Sequence, residues 1–206
     1  MKIYAWSAVG LISAMLGGLV YLAFFKTPED ALAQCRGGVV ATGNASIGGP
    51  FELVAETGET VTDADVIVAP TLVYFGYTFC PDVCPLDAYR NGEAADLLAE
   101  QGYDVNTVFI TIDPERDTPE QLAFFTEAMH PDMLGLTGSE AQVAAASKAY
   151  KTYYRKQDGD PEYYLVDHST FTYLMLPNAG FADFFRREAS AQQIAERTAC
   201  FIDATS

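Results

Sequence analysis

The hydrophobic pattern divides the chain into two unlike parts. From Ile3 to Phe25 run 23 residues without a charge, bounded by Lys2 and Lys26. As a helix this segment would be about 34 Å long, enough to cross the hydrocarbon core of a bilayer. Ala31-Leu32-Ala33 resembles a small-residue cleavage site, but a cleavable signal peptide carries a shorter apolar stretch. The bulk of Gln34, and the charges between Cys35 and the apolar run, disfavour a lipid anchor at Cys35. The pattern predicts an uncleaved anchor over residues 1–26. Residues 27–47 read as a tether, rich in Gly, Ala, Thr and Asn and without helical periodicity.

From residue 48 to 206 the periodicity is that of a folded domain. Phe51–Val54 and Glu59–Thr62 flank a turn at Thr57-Gly58 and predict a hairpin. Thr71-Leu72-Val73-Tyr74-Phe75 is a continuous apolar, β-branched run, as expected of a strand covered on both faces. It leads through Gly76–Phe79 into Cys80, and a helix follows from about Pro85 to Gln101. Asp104–Asp113 gives the next strand, and Thr118-Pro119-Glu120 opens a helix, with a hydroxyl at the cap and proline in the first turn. A shorter helix covers Ser139–Tyr150. Tyr163–Val166, Phe171–Leu176 and Phe181–Arg186 are strands, the last two joined at Pro177–Gly180, and a final helix runs from Ser190 to Phe201. A strand-helix-strand-helix half followed by a hairpin and a helix is the order of an α/β, thioredoxin-like fold: a central sheet flanked by helices, here behind an N-terminal transmembrane helix.

Composition narrows the function. Of the 206 residues 50% are hydrophobic and 13% aromatic, enough for a sizeable core. The net charge of −16 excludes a nucleic-acid role, which needs basic surface. The densest basic group, Lys148, Lys151, Arg155 and Lys156, reads as a solvated helix end.

Four cysteines and two histidines carry the candidate chemistry. Cys80 and Cys84 are spaced i, i+4 where a strand passes into a helix; on one helical turn both sulfurs face the same way and can meet a single ion. A helix N-terminus favours the thiolate, the metal-binding form. Two thiolates suit Cu(I), or zinc if two more ligands join them. A dithiol oxidoreductase of the usual thioredoxin type has two residues between its cysteines, whereas Pro81, Asp82 and Val83 stand here. Alone, the spacing is equally that of two ordinary thiols. His168, between two late strands, could reach the pair over the sheet edge or stand as a surface histidine. His130, before Pro131 at a helix C-terminus, reads as structural.

Gly76-Tyr77-Thr78-Phe79-Cys80-Pro81-Asp82-Val83-Cys84-Pro85 closely resembles the signature of the Sco/SenC family of copper proteins. So does Ile112-Asp113-Pro114-Glu115-Arg116-Asp117-Thr118-Pro119, and Asp167-His168-Ser169 with Tyr173-Leu174-Met175 matches the family's histidine segment. The blocks fall in family order, and the resemblance runs from about Gly48 to the last helix. It implies a thioredoxin-like fold, an N-terminal anchor and one copper ion, Cu(I) or Cu(II), held by Cys80, Cys84 and His168. It also implies a role in assembling the dinuclear copper centre of cytochrome c oxidase subunit II, with a copper-donor chaperone and a thiol-disulfide reductant as further partners. Phe79 departs from the family, which often has a polar or imidazole residue there, and Leu86 stands where a small hydroxyl residue is common. Asp82 and the Asp113–Asp117 block either orient the site, bind a partner, or serve as turn and cap residues.

The flanks give only a weak orientation signal, with one lysine on each side of the apolar run. Beyond Lys26 there are 10 basic and 28 acidic residues. Resemblance and cysteine chemistry place the chain as a single-pass protein of the inner membrane, its domain on the outer, periplasmic or intermembrane-space side. In such an oxidising compartment Cys35 and Cys200 could pair and pin the tether to the domain, or stand as two unrelated thiols. The expected function is a copper metallochaperone, which needs no bond-making catalysis. The alternative is a thiol-disulfide reductase that cycles Cys80 and Cys84 to keep the oxidase cysteines reduced, and it needs no His168. A peroxiredoxin-like peroxidase is disfavoured, because Tyr77 stands where a threonine is expected.

Overall fold

The structure, a computed structural model, describes residues 32–36, 47–160 and 163–205. The predicted anchor and most of the predicted tether lie outside the described residues. Among those described, no helix is long and apolar enough to cross a membrane. The chain divides into two compact units, 1–34 and 35–206, and the fold below is that of the second.

The elements are β1 (Glu52–Ala55), β2 (Thr60–Thr62), α1 (Asp63–Val66), β3 (Thr71–Gly76), α2 (Val83–Ala99), β4 (Asn106–Thr111), α3 (Pro119–Met129), β5 (Met133–Thr137), α4 (Glu140–Ala149), β6 (Tyr154–Lys156), β7 (Val166–His168), β8 (Thr172–Leu176), β9 (Gly180–Phe185) and α5 (Ala191–Thr205). Seven strands form one mixed sheet in the order β2-β1-β5-β4-β3-β8-β9, while β6 and β7 pair apart from it. β3 is parallel to β4 and antiparallel to β8, and β4 is parallel to β5. This is the thioredoxin-like arrangement that the element order predicts.

All six residues of β3 are buried, as its unbroken apolar run requires. Beneath it the main core is aromatic: the ring centroids of Phe75 and Tyr150 lie 5.2 Å apart, and those of Phe109 and Phe125 4.8 Å. On α2 and α5, Leu98, Ala195 and Ala199 close a smaller cluster. Thr118 caps α3 by accepting from the Gln121 amide, and Ser139 opens α4 with a capping box closed by Gln142.

Two strands escape the hydrophobic pattern. β5 is short and broken by Gly135, where a β-carbon would lie 2.6 Å from an oxygen of the Glu56 carboxylate. That carboxylate accepts from the Gly135 amide and the Thr126 hydroxyl, so a burial pattern centred on a glycine marks a polar clamp. β6 corrects half of the reading of the basic group as a helix end: Lys148 does stand in the last turn of α4, but the later two residues do not. Arg155 and Lys156 lie on this strand and pair with Asp167 and Glu115, at 3.2 and 2.8 Å. The strand expected over Tyr163–Val166 is shifted to Val166–His168, so His168 ends a strand instead of lying between two.

Cys35 and Cys200 form a disulfide, their Cα atoms 5.6 Å apart. Cys35 is buried, and Arg36 Nε next to it donates to the Ala182 carbonyl of β9 at 3.3 Å. The bridge joins positions 165 residues apart, a long loop whose closure restricts the unfolded chain. Cys200→Ser is expected to lower stability by about 2–5 kcal/mol. Chemical unfolding of the two proteins at one pH measures this, and coincident midpoints would show that the bridge contributes nothing.

Candidate metal and thiol centre

β3 ends at Gly76, at the carboxyl end of the parallel strands, and the chain then turns into α2. Open α/β sheets gather their ligands at this edge. The turn is held from below by Asp117, which is wholly buried. Its carboxylate accepts from the Thr78 amide at 3.0 Å, the Thr78 hydroxyl at 2.7 Å and the Thr111 hydroxyl at 2.6 Å. α2 begins at Val83, two residues before the expected start, which puts Cys84 in its first turn. Asp82 is the N-cap residue but makes no side-chain cap bond. The Cys84 amide instead donates to Cys80 Sγ at 3.4 Å. A sulfur thus takes the place of the usual capping oxygen, where the exposed amides favour negative charge.

His168 comes from the other side, at the end of β7. Its Nδ1 lies 2.8 Å from the Ser169 carbonyl, which can only accept, so Nδ1 carries the proton. Nε2 is left with its lone pair and sits 3.3 Å from Cys84 Sγ. The ring meets Tyr74 and Tyr77 edge to face, at centroid distances of 6.3 and 5.9 Å. Tyr77 also accepts the Val166 amide on its hydroxyl at 3.3 Å, tying β7 to the cysteine turn.

The donor atoms of Cys80, Cys84 and His168 all lie within 4.8 Å of one another, and among the described residues they form the one such cluster. Bonds of about 2.0–2.3 Å, the values for zinc, let an ion near the centre of such a triangle reach all three donors with little movement. A structural zinc site normally closes with four protein ligands, whereas two thiols and one imidazole suit a soft ion such as Cu(I). The residues present therefore fit copper by their chemistry.

The two cysteines differ. A hydrogen bond from the Cys84 thiol, with others from the Asp82 and Cys84 amides, lowers the Cys80 pKa to about 3 against the opposing effect of burial. Burial pushes the Cys84 pKa up, so Cys84 keeps its proton. The pair shares one proton, with the charge on Cys80. Folding stability from this depressed thiol is therefore present above the unfolded value of 9.0 and is lost as pH falls through about 3.

Beneath Cys84 lies a buried polar group that sequence reasoning missed. The Tyr74 hydroxyl donates to Asp87 at 3.0 Å. Asp87, 2% exposed, pairs with Arg90 at 2.9 Å, and Arg187 Nε stands 3.8 Å away. Burial raises the Asp87 pKa, opposed by Arg90 and the tyrosine hydrogen bond. A signal was present: Cys84, Asp87, Ala88 and Asn91 fall on one face of α2, and a carboxylate on a face of small and apolar residues marks a buried pair.

His130 has the structural role expected of it. It is the C-cap residue of α3, accepts the Asp132 amide on Nδ1 at 3.2 Å and reaches Asp96 through Nε2 at 3.1 Å. It packs so closely on Gly92 of α2 that a β-carbon there would come within 2.7 Å of it. Asp113 accepts from Arg116 Nε and from the Tyr164 hydroxyl, each at 2.6 Å, so the Asp113–Asp117 block lies under the site. Phe79 and Leu86 flank the cysteines in sequence and are 49% and 60% exposed.

Fold and site together define a thioredoxin-like protein with a dithiol–imidazole centre. Residues 39–203 match the SCO1/SenC family. The chain is 50% identical over 204 residues to protein SenC of Rhodobacter capsulatus, covering 98% of this chain and 91% of that one. It is also similar to the crystal structure of Arabidopsis thaliana ScoI with copper bound, at a TM-score of 0.73 and 36% identity over 77% of this chain and 99% of that chain. Bradyrhizobium japonicum ScoI with copper bound gives a TM-score of 0.68 and 34% identity, covering 75% and 98%. The chain belongs to the SCO1/SenC family.

In the reduced, metal-free protein a thiol-alkylating reagent is expected to modify Cys80 at nearly the same rate from about pH 5 to pH 8, because it stays a thiolate throughout. Cys84 stays unmodified. Mass mapping of the alkylated peptides checks both, and a Cys80 rate rising about tenfold per pH unit would show an ordinary thiol.

Proposed function

We propose that this chain is a copper metallochaperone that holds one copper ion, as Cu(I) or Cu(II), through Cys80, Cys84 and His168. Its recipient is the dinuclear copper centre of cytochrome c oxidase subunit II, as the family resemblance implies. The observation that carries the reading is the convergence of two thiols from the start of α2 and an imidazole from β7, with donors within 4.8 Å of one another. The fixed tautomer adds to it, since Nδ1 is occupied by the Ser169 carbonyl and Nε2 faces the sulfurs. Similarity to two proteins whose structures contain bound copper supports the choice of ion. Copper is cargo here: three ligands leave room for a donor or recipient to add a fourth, exchange ligands stepwise and take the ion. The apolar segment from Ile3 to Phe25 anchors the protein in the inner membrane. The domain then lies on the outer, periplasmic or intermembrane-space side, as residues 48–206, behind a tether of residues 27–47.

One observation favours a second reading. Cys80 is a stabilised thiolate beside a protonated thiol, the arrangement needed to attack a disulfide and resolve the mixed disulfide. In that role the protein reduces the cysteines of the oxidase copper site, leaving Cys80 and Cys84 oxidised until a reductant restores them. His168 separates the two.

The test is copper loading of the reduced full chain and of its His168→Ala variant under anaerobic conditions. Expected are one copper per chain and an affinity lowered about tenfold or more without the imidazole. Negligible copper in the wild type, or the same affinity and spectrum in the variant, would sink the chaperone reading and leave thiol-disulfide exchange.

A further inference from the structure

The site is assembled from two pieces of chain that share little backbone bonding. The cysteines stand at the end of β3 in the main sheet, whereas His168 stands on an arm of two strands, β6 and β7, paired only with each other. The arm is seated on the body through Val166 and Tyr164, both buried in the main core, and through Tyr154, which packs against that core. Between them lies a cavity of about 480 Å³, lined by Ile112, Glu140 and Ala144 on one side and Tyr154, Lys156 and Tyr164 on the other. That cavity leaves the packing of the arm incomplete on one side.

Arg116 occupies the junction. Its guanidinium carbon is 3.6 Å from the ring centroid of Tyr164, two residues before β7. On the cysteine side it lies 4.7 Å from the Phe79 ring and 5.8 Å from that of Tyr77. Asp113 fixes both partners, accepting from Arg116 Nε and from the Tyr164 hydroxyl on its two oxygens. Asp113 is 5% exposed, and Arg116 Nη2 is buried without a hydrogen-bond partner among the described residues. The guanidinium is therefore held mainly by one carboxylate and by the faces of three rings, two of them from the turn that leads into Cys80.

We propose that Arg116 is a positioning residue that locks the arm carrying His168 to the turn carrying Cys80, and so sets the distance between the imidazole and the two sulfurs. A planar, delocalised cation can lie on several rings at once while one edge meets a carboxylate; an ammonium cannot. Val166 and Tyr164 seat the arm by burial, whereas its other polar links are weaker in kind: the Lys156–Glu115 pair is half exposed, and the Tyr77 hydroxyl takes a single amide. Phe79 acquires a role here as well, since its ring closes the open side of the guanidinium. The inference rests on the reading of Cys80, Cys84 and His168 as the copper ligands.

The test uses the full chain, reduced, in four forms: wild type, His168→Ala, Arg116→Gln and the double variant. Copper affinity by chelator competition, the Cu(II) absorption spectrum, and amide exchange at Val166 and Leu174 in the metal-free protein are measured. Arg116→Gln is expected to weaken copper about tenfold and to move the spectrum toward that of His168→Ala. Adding His168→Ala to it should cost less than His168→Ala alone. The Val166 amide should exchange faster while that of Leu174, in the main sheet, keeps its wild-type rate. Arg116→Lys, which keeps the charge but not the plane, should fall between, and it carries the test if the glutamine variant does not fold. Wild-type affinity, spectrum and Val166 exchange in Arg116→Gln would overturn the proposal while leaving the three-ligand site standing. Faster exchange at Val166 and Leu174 alike would also overturn it, as general loosening. If His168→Ala itself changes nothing, the ligand reading has failed, and Val166 exchange alone decides whether Arg116 fixes the arm.

Discussion

Asp117 lies wholly buried beneath the cysteine turn, and its two carboxylate oxygens hold three donors: the amide and hydroxyl of Thr78 and the hydroxyl of Thr111. Its backbone carbonyl accepts from Thr137 on β5 at 2.9 Å. One residue thus ties the exit of β3 to β4 and β5, three neighbouring strands whose ends would otherwise separate. Burial raises its pKa and these hydrogen bonds lower it. Each donor here would be orphaned if the carboxylate were removed, and an unsatisfied buried donor costs about 1–3 kcal/mol. The position of Cys80 two residues after Thr78 follows from this grip, and so does the entry angle of α2.

On that foundation the two thiols take unequal parts. Both are buried, Cys84 completely and Cys80 with 8% of its surface exposed. The sulfur of Cys80 stands in for a helix cap while Cys84 faces a tyrosine, a histidine and the carboxylate beneath them. Either proposed role, metal transfer or disulfide exchange, would begin from this one state, a thiolate backed by a second sulfur. The imidazole is what turns a pair suited to exchange into a pocket suited to a soft ion.

The sequence was legible where chemistry is local and obscure where it depends on strands meeting across the fold. β3, α2, α3 and α4 follow from an unbroken apolar run, helical spacing and caps at Thr118 and Ser139. The spacing of Cys80 and Cys84 left two ordinary thiols open, and it was the resemblance that joined them to His168. β5 was hidden because its centre is Gly135, placed there by the Glu56 carboxylate and not by any strand preference. β6 was hidden because Tyr154-Arg155-Lys156 is polar; it is a strand through its pairing with Val166-Asp167-His168, about ten or more residues on. The Cys35–Cys200 pairing, which the sequence left open, needed the docking of the segment around Cys35 against α5. Tyr74 and Asp87 were overlooked for a different reason: a strand tyrosine looks apolar until its hydroxyl is found against a helix.

The shared proton of the cysteine pair also sets how many protons a soft cation displaces on entering. Two free thiols would release two, and the affinity of the pocket would climb about a hundredfold for each pH unit. With the charge resting on Cys80, a cation entering between the sulfurs would displace the Cys84 proton alone. The hold of such a pocket on the ion would then change about tenfold per pH unit, a tenth of the dependence that two free thiols would give.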